Sequence, residues 1–221
     1  MIDAAERIVA ERGMPALTFT EVQAAANQLN NSAAKYHFGS RENLLGAVVE
    51  SRMARVHIRR QEMLDELEQS GRSPSVRQAM EVLVLPLAAE TVYREGSRCA
   101  RFLVQAVFDP ALEAVLRGHL HADSYLATMK LLTDLSQVSP EVGRWRAQNV
   151  NMLLMTALAA QEGYERTIEE CDAIVADLVN MCVGAFDART SFPALIGTSL
   201  RSSHALPARL QPVPTPVDPL T

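Results

Sequence analysis

TFTEVQAAANQLNNSAAKYHFGSRENLL, residues 18–45 of a 221-residue chain, reads as two short helices, a polar turn between them and the start of a long third helix. Thr18 stands three residues before Glu21. That is the spacing of a capping box, in which hydroxyl and carboxylate each satisfy a helix-end N–H. Val22, Ala25 and Ala26 follow at i, i+3 and i+4 as a narrow apolar face. Asn27 tolerates the left-handed conformation of a C-cap and predicts the stop. Gln28, Leu29, Asn30 and Asn31 make the turn, and Asn30, Asn31 or Ser32 can cap the second helix. That helix spans residues 32–38. Its apolar residues (Ala33, Ala34, Phe38) are mostly small, so Lys35, Tyr36 and His37 are left to point outward. Gly39 ends it, and Ser40 caps a helix that begins at Arg41.

Two short helices joined by a tight turn, the second with a polar outer face, describe a helix-turn-helix that reads DNA. A plain corner in a helical bundle has the same spacing, and spacing alone leaves both readings open. On the first reading Asn31, Ser32, Lys35, Tyr36 and His37 face the major groove or its flanking phosphates. Thr20 and Arg41 hold phosphates from outside.

The stretch resembles the DNA-binding domain of the tetracycline-repressor (TetR) family of transcriptional regulators. The matching residues are Ile2-Asp3-Ala4-Ala5-Glu6-Arg7, Glu11-Arg12-Gly13, Thr18 to Ala26, and Tyr36-His37-Phe38-Gly39-Ser40-Arg41-Glu42-Asn43-Leu44-Leu45. Beyond residue 50 the likeness is one of helix content and length. Asn27 stands where the family usually has Gly, QLNN is one residue longer than the common turn, and Lys35 replaces a frequent Tyr. The resemblance implies an all-α fold, a homodimer, an operator of double-stranded DNA and a small-molecule effector. A repressor is the family's commoner mode of action.

Bulk properties agree with a helical protein in a reducing compartment. Aromatic residues are 5% of the chain against 48% hydrophobic ones, a composition suited to helices. No run of about 18 apolar residues predicts a membrane span. The N-terminus enters an amphipathic helix bearing Asp3 and Glu6 rather than a signal peptide. Cys99, Cys171 and Cys182 are odd in number and widely spaced, which suggests neither a disulfide framework nor a zinc site. Cytoplasmic localisation with idle, buried thiols is expected. The net charge of −5 is unevenly spread: residues 1–60 carry eight Lys or Arg against six Asp or Glu, and the remainder thirteen against twenty. A mildly basic N-terminal piece on an acidic body suits a local DNA contact.

Three regions are expected: a helix-turn-helix domain over 1–45, a helical ligand-binding and dimerisation domain over 46–189, and a Pro-rich extended or disordered tail over 190–221. Helix patterns cover 2–12, 41–69, 75–94 (with Pro86 inside), 98–108, 110–135, 140–162 and 167–188. Asp109-Pro110 and Ser139-Pro140 mark starts, and Thr167 with Glu170 makes a capping box. Arg52, Arg55, Arg59 and Arg60 read as a solvated face or as intrahelical ion pairs, the alternative being phosphate contact or a bridge to the second domain.

Methionines and aromatics of the middle helices suit an adaptable apolar cavity. The candidates are Met80, Leu83, Leu87, Phe102, Phe108, Leu116, Tyr125, Met129, Trp145, Gln148, Met152 and Met155. For any one of them plain core is the simpler reading, and the resemblance is what makes the set a pocket. Arg98, Arg101, His119, His121, Arg144, Arg146 and Gln148 are possible polar handles. The set is overwhelmingly apolar, which predicts a mostly hydrophobic effector oriented by Tyr125 or Gln148. The resemblance further implies a four-helix dimer interface from the last two helices, with Val150, Leu154, Ala157, Leu158, Gln161, Ile174, Leu178, Met181 and Ala185. The alternative is that these faces fill the protomer's own core.

Nothing in the sequence suggests an enzyme, a cofactor or a metal. His119 and His121 are two residues apart and cannot face one ion from a helix, and there is no nucleophile elbow, phosphate loop or HExxH. Glu162, Glu165, Glu169 and Glu170 read as a solvated cluster. The remaining alternatives are a protein-interaction module and a sequence-independent DNA binder without an effector.

Overall fold

The computed structural model describes residues 1–27, 33–112, 115–116 and 122–189. The turn at 28–32, with the candidate contacts Asn31 and Ser32, lies outside the described residues. So do His119, His121 and the Pro-rich tail from 190 onward. Every regular element among the described residues is helical, and none of these helices is long and apolar enough to cross a membrane.

α1 (Ile2–Arg12) buries Ala5, Ile8 and Val9. A single 3₁₀ turn over Met14–Ala16 leads to α2 (Phe19–Ala25). Thr18 caps α2, its hydroxyl accepting from the Glu21 N–H at 3.2 Å. The Glu21 carboxylate meets the Arg12 guanidinium at 2.6 Å, so it ties α2 to the end of α1 as well as sitting at a helix start. Asn27 has φ 52 and Gly39 φ 73. The end of α2 and the turn after α3 (Ala33–Phe38) therefore use the left-handed region that Asn tolerates and Gly enters freely. Ser40 then caps α4 (Arg41–Gln69), accepting from the Asn43 N–H at 3.1 Å.

The remaining helices wrap α4 and one another. α5 (Val76–Ala89) opens with a capping box between Ser75 and Gln78. It ends five residues earlier than the apolar pattern predicts. The Thr91 hydroxyl donates to the carbonyls of Leu87 and Ala88 at 2.9 and 3.2 Å, satisfying the groups that a helix end leaves open. α6 (Cys99–Val107) follows a turn through Ser97. The helix expected over 110–135 is not continuous: Asp109-Pro110 starts only a 3₁₀ turn over Pro110–Leu112, and α7 begins anew at Asp123 and runs to Leu135. α8 (Pro140–Gln161) and α9 (Ile168–Phe186) start at Ser139 and at the Thr167–Glu170 capping box, as their sequence signals indicate.

Residues 1–188 form one compact unit. α1 packs on α2, α4 and α6; α4 also meets α5 and α7; α6 and α7 flank α8; and α9 closes on α5 and α8. The core runs from Val9 and Leu45 through Val56, Leu83 and Phe102 to Leu154 and Phe186.

Two sets of charged residues lie deeper than their patterns suggest. The arginines of α4 do not share one solvated face. Arg52 and Arg60 are buried, because α1 covers one flank of α4 and α7 another. Arg55 pairs with Glu90 at 3.1 Å, while Arg59 stays on the surface beside Glu62 and Glu66. Glu162 is likewise buried, whereas Glu165, Glu169 and Glu170 are exposed. The Glu162 carboxylate accepts from the Ser97 hydroxyl at 2.8 Å and from the N–H groups of Ala100 and Arg101 at 2.9 Å each. It does what the residue before α6, Arg98, cannot do with its own side chain. Burial pushes the Glu162 carboxyl above the usual glutamate range, and those donors pull the other way.

Candidate functional site

Two features stand apart from the packing. The first is the outward side of α3. Lys35, Tyr36 and His37 are exposed, Tyr36 to 93%. A tyrosine in water on a two-turn helix contributes nothing to a core, whereas Phe38 of the same helix packs against it. The His37 ring meets Phe38 edge-on at 4.6 Å between centroids. Thr20, in the first turn of α2, is exposed as well. Arg41 is used differently from the expectation. Its Nε donates to the Leu17 carbonyl at 3.2 Å and its Nη2 to the Met14 carbonyl at 2.5 Å. It staples the start of α4 to the α1–α2 connection, and only its remaining N–H groups are left for a phosphate.

The second feature is a cavity of about 640 Å³ between α4, α5, α6, α7 and α8, within the usual range of small-molecule sites. Of the candidate residues, Leu87, Leu116, Tyr125, Met129, Gln148, Met152 and Met155 line it. Five do not. Met80, Leu83 and Phe102 are wholly buried in the core, while Phe108 and Trp145 are 72% and 63% exposed. Helical periodicity identifies an apolar face, but which part of that face meets a void depends on how neighbouring helices cross.

The wall also holds residues that the sequence did not assign to it: Met53, Leu103, Val107, Leu126 and Asn151, and the charged Arg60, Lys130 and Asp134. With them stands Arg144, one of the polar handles expected from the sequence, so the wall carries more charge than the overwhelmingly apolar candidate set suggests. Lys130 is paired with Asp134 one turn on, and Arg144 is exposed. Arg60 is different from both. It is 3% exposed, and no carboxylate among the described residues lies within ion-pair distance of it. Its Nη1 lies 3.4 Å from His57 Nδ1, at the outer limit of a hydrogen bond. Its Cζ sits 5.6 Å from the centre of the Tyr125 ring, and its Nε has no partner among the described residues. Burial pushes the Arg60 guanidinium down to about 10. Burial pushes the Tyr125 phenol up, an effect Arg60 partly offsets.

The candidate interface residues divide. Val150, Leu154, Leu158 and Leu178 are at most 4% exposed within the protomer. A side chain so completely covered by its own chain has no surface left for a second copy, so these four belong to the core. The reason is geometric: α8 and α9 are apolar on more than one side, and periodicity does not say which side faces inward. Ala157, Gln161 and Ile174 are half-buried, and Met181 and Ala185 are exposed.

Among the described residues no group of His, Cys, Asp or Glu is arranged to hold a metal. Cys99, Cys171 and Cys182 are buried free thiols. No family model and no curated protein matches the chain. Among solved structures, the multidrug binding protein EbrR complexed with imidazole is similar at 18% identity, with a TM-score of 0.45 over 80% of this chain and 91% of that one. A protein from Mesorhizobium loti assigned to the TetR family of transcriptional regulators is similar at 14% identity, with a TM-score of 0.47 over 83% and 93%. At such identities the chemistry has to be read from this chain's own residues.

Proposed function

We propose that the chain is a ligand-responsive transcriptional regulator of the tetracycline-repressor type. In this reading it is a homodimer that holds a palindromic DNA operator and releases it when a small molecule fills the cavity. The exposed row Lys35, Tyr36 and His37 on α3 carries the reading. A short helix that keeps Lys35, Tyr36 and His37 in water and ends in a turn at Gly39 and Ser40 is built to present those side chains to something else. Double-stranded DNA offers phosphates for Lys35 and base edges for Tyr36 and His37.

The link from cavity to DNA runs through two helices. α4 gives Met53 and Arg60 to the cavity wall, and α6 gives Leu103 and Val107. The same two helices hold α1. Arg52 of α4 donates to Glu6 and Asp3. At the start of α6 the Arg98 N–H donates to Glu6 at 3.2 Å, and farther along the Gln105 side chain donates to the Val9 carbonyl at 2.8 Å. A ligand that prefers one spacing of α4 and α6 therefore biases the position of α1 and of the α2–α3 pair it supports. A differential affinity of a few kcal/mol is enough to shift such an equilibrium. Two copies read half-sites about one helical turn apart. The surface open to a second copy includes Trp145, Met181 and Ala185, and the operator requires the pairing.

Selection from a random DNA pool followed by titration tests this. The wild type is expected to enrich a palindrome. Lys35→Ala should weaken its binding by about tenfold while leaving the melting temperature unchanged. Selection of no preferred sequence, or normal operator affinity in Lys35→Ala, would discard the α3 assignment.

A further inference from the structure

We propose that the cavity takes an amphipathic monoanion, an organic carboxylate whose head group pairs with Arg60 and whose apolar body lies along Leu103, Met129, Met152 and Met155. This rests on the effector reading above and names the chemical class it takes.

A buried guanidinium brings five N–H donors and a full positive charge into a medium that solvates neither. Proteins that keep such a group normally give it a carboxylate, and this one does so eight residues earlier: Arg52 has both Glu6 and Asp3. Among the described residues Arg60 has only a long contact to His57 and a tyrosine ring near the outer limit of a cation–π interaction. It lines a cavity whose wall is otherwise mostly apolar. The missing partner is therefore expected from outside, and a carboxylate fits the planar fork of the guanidinium in two parallel hydrogen bonds. The other charges favour the same sign. Lys130 and Asp134 cancel as a pair, and Arg144 adds a second cation at an exposed position. One buried cation balances one negative charge. The second charge of a phosphate dianion would have only the exposed, solvent-screened Arg144 to meet, and a cationic amphiphile would meet Arg60 with like charge.

Calorimetric titration of the full chain with decanoate, decanol and decyltrimethylammonium, each below its micellar concentration, tests the assignment. The wild type should bind decanoate at least about tenfold more tightly than decanol, the ratio that a charge-assisted hydrogen bond supplies, and should bind the cation more weakly than either. Arg60→Met should bring the decanoate and decanol affinities together, and Arg60→Lys should retain part of the preference. The wild-type titrations decide the matter even if a variant does not fold. Equal affinity for acid and alcohol, preference for the cation, or no binding of any of the three would overturn the proposal. So would an undiminished acid preference in folded Arg60→Met. If decanoate binds through Arg60 yet does not release the selected DNA, the binding site stands and the regulatory reading fails.

Discussion

Arg52 and Arg60 lie two turns apart on one helix, both buried, and the chain treats them in opposite ways. Arg52 is enclosed by acids from α1: Glu6, itself buried, and Asp3 at the surface. Burial would lower its affinity for a proton, but the hydrogen bonds to Glu6 and Asp3 outweigh that and raise it. Arg60 is equally buried and has no acid beside it among the described residues, and its guanidinium is pushed down. The difference teaches how to separate a structural charge from a functional one. A buried cation whose counter-charge comes from the chain joins two helices. A buried cation without one carries a desolvation cost that folding does not recover, and a ligand can.

Arg52→Met should have the largest effect. It leaves the Glu6 carboxylate buried without its cation, at a cost of about 3–5 kcal/mol, read as a fall of roughly 10 °C in melting temperature. The loss should depend on pH. The Arg52 hydrogen bond holds the Asp3 carboxyl below the usual aspartate range. Its stabilisation is therefore present above that range and lost as the pH falls through the lowered value. Urea titrations at descending pH should show wild type and Arg52→Met drawing closer together. A constant gap would mean that Asp3 has no share in the pair.

Arg60→Met, without ligand, should move the other way. Removing a buried charge that has no acid partner among the described residues, and filling its place with an apolar chain, is expected to stabilise by about 1–2 kcal/mol. Thermal melting measures it. A loss as large as that of Arg52→Met would show that Arg60 is as structural as its neighbour and would erase the contrast.

The smallest effect belongs to the third kind of arginine on α4. Arg59 is exposed between Glu62 and Glu66, and Arg59→Ala should cost no more than about 0.5 kcal/mol. The effect should vanish in added salt. A larger, salt-insensitive loss would require Arg59 to be held by more than these two surface pairs.

Much of the N-terminal third was legible before any coordinates. Thr18, Asn27, Gly39 and Ser40 act locally, through their own hydroxyls or backbone conformations, and they sit where capping chemistry places them. Ser139 and Thr167 mark their helices for the same reason. The cavity was half legible. Leu87, Tyr125, Met129, Gln148, Met152 and Met155 line it, but Met80, Leu83 and Phe102, on equally apolar faces, are core. Arg60 was hidden among four similar arginines because it is adjacent to Arg59 and carries no distinguishing neighbour in the sequence. Glu162 was hidden in a run of glutamates because its partners, Ser97, Ala100 and Arg101, lie some 60 positions away.

Everything that depends on a few neighbouring residues was thus determined by the sequence alone: where most helices begin and end, which side of α3 is polar, and the absence of β-strand patterning. Everything that depends on which helix lies over which was decided by the tertiary structure: that α8 turns Val150, Leu154 and Leu158 into the core, that Arg41 bonds to backbone carbonyls, and that Arg52 finds acids while Arg60 finds a cavity. Capping and periodicity are short-range forces with a signature at fixed spacing. Burial of a charge is a property of the surrounding packing, and packing brings together residues whose separation along the chain obeys no spacing rule.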